Sequence, residues 1–168
     1  MYRTSFLFAS FLVLALPAAG TAAPVTKSST AEAALLSPLS MIKRADLDFG
    51  TLAASGAGTA VIDPVSGSLT TTGAVTRAGT AAHPALFTST GSKNAVVHIK
   101  IPQSPVTLTR VGGTETMSVS NWTLDGSTNR KIPANTTFDF AVGGTLTVGA
   151  NQADGTYVGT FNVTVQYP

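Results

Sequence analysis

The sequence contains no cysteine. Disulfide scaffolds, thiol chemistry and cysteine-based zinc sites are therefore excluded. Charge is also scarce: Asp, Glu, Lys and Arg make up 11% of the 168 residues, against roughly a quarter in an average domain. The formal net charge of +2 is too small and too dispersed for a nucleic-acid footprint. Imidazole is limited to His83 and His98, and indole to Trp122. Low charge can signal disorder, but disorder also needs low hydrophobicity. Here 43% of residues are hydrophobic and the mean hydropathy is +0.28. The length suits one domain with a leader and a tail, and argues against two.

Residues 1–23 read as a secretory signal peptide. Arg3 supplies the positive start, Ser5–Leu16 is a short apolar run, and Pro17 ends it. Small residues from Ala18 to Ala23 then offer cleavage sites. The run is short for a bilayer span, and no later segment could span one as a helix. The expectation is an exported protein with no stable membrane span after processing. Export permits cystine, yet none is used, so the core must hold without it.

Pro24–Thr30 is polar and reads as a mobile lead-in. Ala31–Leu36 (AEAALL) has helix-forming composition, ended by Ser37-Pro38. It also fits an extended arm with Ala31, Ala33 and Leu35 on one side, and the choice stays open. Residues 24–37 thus form an N-terminal arm, and 38–168 the domain.

Beyond Pro38 the chain reads as strands. Thr, Val, Gly and Ser dominate, and turn pairs such as Asp63-Pro64, Ser66-Gly67, Gly112-Gly113 and Asp154-Gly155 recur at short spacing. That punctuation predicts an all-β fold, an antiparallel sandwich or barrel. Ala95, Val97, Ile99 and Ile101 alternate with Asn94, His98 and Lys100. Phe138–Val142 and Leu146–Val148 alternate on either side of Gly143-Gly144, which reads as a hairpin turn. The longest alternation closes the chain. Tyr157, Gly159, Phe161, Val163, Val165 and Tyr167 share one face, and Thr156, Thr160, Asn162, Thr164 and Gln166 the other. Burying the large members of that face offers on the order of 10 kcal/mol of gross stabilisation.

Catalytic and metal motifs are absent. The histidines have no ligand spacing, and no G-x-S-x-G elbow is present. Asp46 and Asp48 share a strand face and read as solvated. Gly56-Ala57-Gly58 reads as a turn rather than a phosphate cradle. Asp125-Gly126-Ser127 lacks calcium-loop spacing. No cofactor, metal or catalytic residue is expected, and the chain reads as a non-enzyme. Trp122 is a possible ligand platform by its stacking surface, but in a sandwich it reads first as core. The sequons at Asn121, Asn135 and Asn162 are expected by chance in a Thr-rich chain.

Four motifs together resemble a known family. They are Leu47-Asp48-Phe49-Gly50-Thr51-Leu52, Gly58-Thr59-Ala60-Val61-Ile62-Asp63-Pro64, Gly143–Val148, and Gly155–Tyr167. Over residues 38–168 the chain resembles the bacterial exported family called domain of unknown function 4402. That resemblance implies a periplasmic or cell-surface protein of a Gram-negative-type bacterium and no known reaction. More loosely, the C-terminus is similar to chaperone–usher pilins of the spore-coat-U-like type. It has a penultimate Tyr167, and Gly155 is fourteenth from the end. This similarity implies an immunoglobulin-like sandwich and a pilin-like fimbrial subunit that assembles by strand addition. Its partners would be a periplasmic chaperone, an usher and other copies of itself. Gly155, Tyr157, Phe161, Val163, Val165 and Tyr167 would form the assembly strand, and residues 24–37 the donor arm. The chain departs from pilins in lacking their disulfide and in having an Ala-rich arm. The rival expectation is a self-complete envelope or carbohydrate-binding module built on Trp122.

Overall fold

The computed structural model describes residues 23–79 and 81–168. The segment read as an export signal lies, but for residue 23, outside them. The chain divides into residues Met1–Ala34 and Leu35–Pro168. In the first unit, residues 23–34 have no regular secondary structure and are exposed. Ala31–Leu36 therefore forms neither helix nor strand. An isolated turn of helix that short cannot repay its nucleation cost without packing.

The second unit is all-β. Its strands are β1 (Ser40–Ala45), β2 (Leu52–Ile62), β3 (Leu69–Arg77), β4 (Ala85–Thr90), β5 (Val96–Lys100) and β6 (Val106–Arg110). They continue with β7 (Thr116–Leu124), β8 (Asn129–Lys131), β9 (Thr137–Val148), β10 (Tyr157–Val158) and β11 (Thr164–Gln166). An eight-stranded antiparallel sheet runs β1-β4-β9-β7-β6-β10, with β2 joining β9 and β3 joining β2. A three-stranded sheet runs β11-β5-β8. The two pack face to face as a β-sandwich. Phe87, Phe140 and Val142 of the large sheet meet Ile99, Val163 and Val165. The expected alternation in β5 holds, with Val97 and Ile99 fully buried and Val96 and Lys100 exposed.

Gly143-Gly144 is not a hairpin turn. β9 runs straight through it. Its first half pairs with β4 and its second half with β2, while β7 lies along the other side. The glycines are needed at the handover because backbones crowd there. A Cβ on Gly143 would stand 2.2 Å from the Ile62 carbonyl oxygen. Gly56-Ala57-Gly58 is likewise not a turn. It lies within β2, where the register with β3 shifts between Ala54 and Gly58, and so forms a bulge.

The final alternation is real, but it is not one strand. Phe161, Val163, Val165 and Tyr167 are half-buried between exposed neighbours, whereas Gly159 is exposed. Only residues 157–158 and 164–166 join ladders, and the two ladders belong to different sheets. The reason lies in the opposite chain. The C-terminal segment runs antiparallel first to β6 and then to β5. Those strands are joined by Ile101-Pro102-Gln103-Ser104-Pro105. Two prolines in that crossing remove the donors a continuous ladder requires.

Candidate functional site

The large sheet is covered unevenly. The three-stranded sheet sits over Phe87, Phe140 and Val142. The other half of the core gathers Ala60, Ile62, Val75, Val119, Leu146 and Val148 around Phe49. Above that half lies an open cavity of about 620 Å³. Its floor is apolar: Leu108, Met117, Val119, Leu146 and Trp122. One wall is residues 46–52 and the other is residues 155–159 with Phe161. Leu108, Met117 and Trp122 remain half-exposed there. The volume falls in the range of ordinary ligand or peptide clefts.

Both walls are mostly irregular chain with little ladder pairing, and each contains a positive-φ glycine, Gly50 or Gly155. In residues 46–51 the only bridge joins Asp48 to His83, by Asp48 N–H to His83 O at 3.0 Å and the reciprocal bond at 2.9 Å. Asp48 also accepts the Gly50 N–H through Oδ1 at 2.7 Å. Asp46 lies on the surface with Lys43, at 2.5 Å. The two carboxylates thus have different partners, Lys43 for Asp46 and the Gly50 N–H for Asp48. On the other wall, residues 159–163 join no ladder.

The start of the second wall is pinned firmly. Arg110 donates from Nε to the Asp154 carbonyl at 2.8 Å and from Nη1 to both Glu115 oxygens at 3.1 and 3.2 Å. Its own N–H and the Arg110 guanidinium hold the Glu115 carboxyl below the usual glutamate value. Gly155, at φ 145°, turns the chain against Arg110. The Thr156 carbonyl then takes the Val111 N–H at 2.8 Å. Tyr157 follows, its hydroxyl donating to Ala153 O and accepting from Gln152 Nε2, each at 2.7 Å.

The residues expected on one assembly face divide into three groups. Gly155, Tyr157 and Phe161 border the cavity. Val163 and Val165 pack into the core beneath the small sheet, and Phe161 reaches that core too. Tyr167 touches neither group. Its hydroxyl donates to Ser37 O and accepts the Ser92 N–H, both at 2.8 Å. Nothing in the strand pattern pointed to that role.

Trp122 is half-buried and belongs to the packing of both core clusters. Its ring meets Phe161 at 4.6 Å between centroids with a 38° tilt. Its Nε1 donates to Ser104 O at 3.2 Å. The ring is thus engaged by Phe161 and Ser104 while it lines the floor of the cavity. His98 binds Asn129 Oδ1 at 2.7 Å on the small sheet, and His83 lies far along the chain in the bridge to Asp48. Among the described residues, no group of three His, Asp or Glu is placed to hold a metal ion. Among them, too, no helix is long and apolar enough to cross a membrane.

A second, smaller cleft of about 270 Å³ lies on the outer face of β4 and β9, beside Arg44, Leu86 and Thr88. Near it, Arg130 pairs with Asp125 and lies over the Phe140 ring at 5.9 Å. Thr88 donates to Asp139 at 2.5 Å. These polar groups satisfy one another.

Comparison with known proteins identifies a family. A family model described as a domain of unknown function, DUF4402, matches residues 39–167. No curated protein and no solved structure matches the chain.

Proposed function

Because the chain belongs to the DUF4402 family, we propose that it is an exported, non-enzymatic structural subunit whose sandwich accepts an added strand, in the manner of a pilin. The observation that carries this reading is the open apolar cavity beside the C-terminal segment. Its floor joins buried Val119 and Leu146 to half-exposed Leu108, Met117 and Trp122. Its two walls have little ladder pairing, and residues 159–163, which continue one of them, join no ladder. An extended peptide laid between them would cover the floor with alternate side chains and could pair with the stretches of wall that lie outside the ladders.

The donor is the arm, residues 24–37, of a second copy. It carries apolar side chains with nothing to cover them: Val25 is 85% exposed and Leu35 99%. Leaving such residues in water is unfavourable by about 1.5–3 kcal/mol each relative to burial. A periplasmic chaperone that lends a strand to the same groove would keep the subunit soluble before assembly. Export to the periplasm or cell surface of a Gram-negative-type bacterium fits the apolar leader. The competing carbohydrate module needs a free Trp122 face, and the contact with Phe161 speaks against it.

The test compares the protein beginning at Leu35, which keeps Ser37 and its bonds to Ser92 and Tyr167, with and without a synthetic peptide of residues 24–37. The shortened protein should aggregate or melt early. The peptide should raise its melting temperature and shift the Trp122 emission. A stable monomer indifferent to the peptide would refute the strand-accepting reading.

A further inference from the structure

The last residues of the domain hold its first ones at a single point. Tyr167 Oη donates to Ser37 O and accepts the Ser92 N–H, both at 2.8 Å. Ser37 N–H in turn donates to Ser92 Oγ at 2.5 Å. The three residues close a ring of hydrogen bonds. Space for the hydroxyl exists because residue 91 is glycine. A Cβ on Gly91 would stand 2.7 Å from Tyr167 Oη, from Leu39 Cδ2 and from Ile132 Cδ1. Gly91 is itself held, its N–H bonded to Thr136 O at 3.0 Å.

Ser37 is where the exposed arm gives way to the sandwich. Leu35 and Leu36 on its N-terminal side are exposed. On its C-terminal side comes β1, an edge strand whose single neighbour in the sheet is β4. The β1–β4 ladder is interrupted between Lys43 and Ala45. An edge strand paired on one side only, through an interrupted ladder, belongs to the part of a sheet that opens most readily. The ring at Ser37 stands in front of it. Its bonds share residues, so traction on the arm loads them together.

We infer that the Tyr167–Ser37–Ser92 ring is the anchor of the arm, and that Tyr167 is a positioning residue for assembly. It fixes where the arm leaves the sandwich. It also joins the arm's root to the chain segment that, through β11 and Phe161, borders the receiving cavity. A subunit held by its arm in one neighbour and by its cavity to another would carry load along that single segment. This inference rests on the strand-accepting reading and adds to it the point of attachment.

The experiment uses the full chain from residue 24, wild type and Tyr167→Phe. Removing one hydroxyl loosens a locally closed structure by about five- to tenfold in opening. Hydrogen exchange should therefore quicken by that factor at the Ser37, Leu39 and Ser92 amides, while β9 stays protected. Uptake of the 24–37 peptide should be unchanged, because the cavity is untouched. Assemblies of Tyr167→Phe should dissociate several-fold faster on dilution than those of the wild type. Where that variant fails to fold, Ser92→Ala removes the Ser37–Ser92 bond and leaves the tyrosine in place. Unchanged exchange at the Ser37, Leu39 and Ser92 amides, or equal dissociation rates, overturns the anchor alone. A wild-type chain that neither self-associates nor takes up the peptide overturns the strand-accepting reading, and the anchor with it.

Discussion

Phe161→Ala tests the placement of the C-terminal segment most directly. Phe161 is half-buried, stacks on Trp122 at 4.6 Å and packs into the core beneath the small sheet. Truncating a fully buried phenylalanine costs about 3–5 kcal/mol. With incomplete burial the loss here should be about 2–3 kcal/mol, part of it from the aromatic pair. For a domain of this size that corresponds to a fall in melting temperature of roughly 6–12 °C. Trp122 supplies a second, independent signal, since it is the protein's one tryptophan. Without Phe161 across its ring, its emission should move to longer wavelength and a soluble quencher should reach it more easily. Thermal unfolding followed by circular dichroism and by fluorescence reads both effects. Asn162→Ala, on the exposed face of the same segment, should change stability by no more than about 0.5 kcal/mol. Equal melting of Phe161→Ala and the wild type, with an unmoved emission spectrum, would show that the segment does not lie over Trp122. The whole description of the cavity wall would then fall.

Other outcomes follow from single contacts. Gly143→Ala forces a methyl against the Ile62 carbonyl and should cost about 3 kcal/mol in urea unfolding. A hairpin turn at that position would tolerate alanine far better. Asp125→Asn leaves Arg130, a largely buried guanidinium, without its ion partner, and should cost about 2 kcal/mol by the same measurement. Asp63 is held below the ordinary aspartate value by the Ser66 N–H and hydroxyl and by the Val65 N–H. Its folded form therefore binds a proton less readily than the unfolded chain. The stability it contributes is complete above the ordinary aspartate range and is lost as pH falls below it. Asp63→Asn should flatten the acid limb of stability against pH, and an unchanged limb would show that the carboxylate makes no such contribution.

The strand character of the domain was legible because period-two alternation needs only one buried face, and β5 shows it residue by residue. The same rule misread Gly143-Gly144. Paired glycines serve equally for a tight turn and for close passage between neighbouring backbones, and only the positions of β2 and β7 distinguish the two. The C-terminal alternation was legible as a face but not as two ladders. Its interruption is written in Pro102 and Pro105, far away in sequence, on the chain it runs against. The sequence groups Gly155, Tyr157 and Phe161 with Val163, Val165 and Tyr167 on one assembly strand; that only the first three border a cavity is set by tertiary packing. The opposite wall, residues 46–52, was not legible either, since its motif suggested family and no geometry. Tyr167 was grouped with the buried face because an aromatic at period two looks like core. Its hydroxyl, and the glycine that admits it, made it something else.

β9 has a consequence for how the protein fails. Phe140 and Val142 sit in one core cluster and Leu146 and Val148 in the other. Neither half of the sandwich can melt without withdrawing a strand from its companion. Damage at either end is thus felt by the whole, and heating should produce one sharp transition in which both halves let go at once.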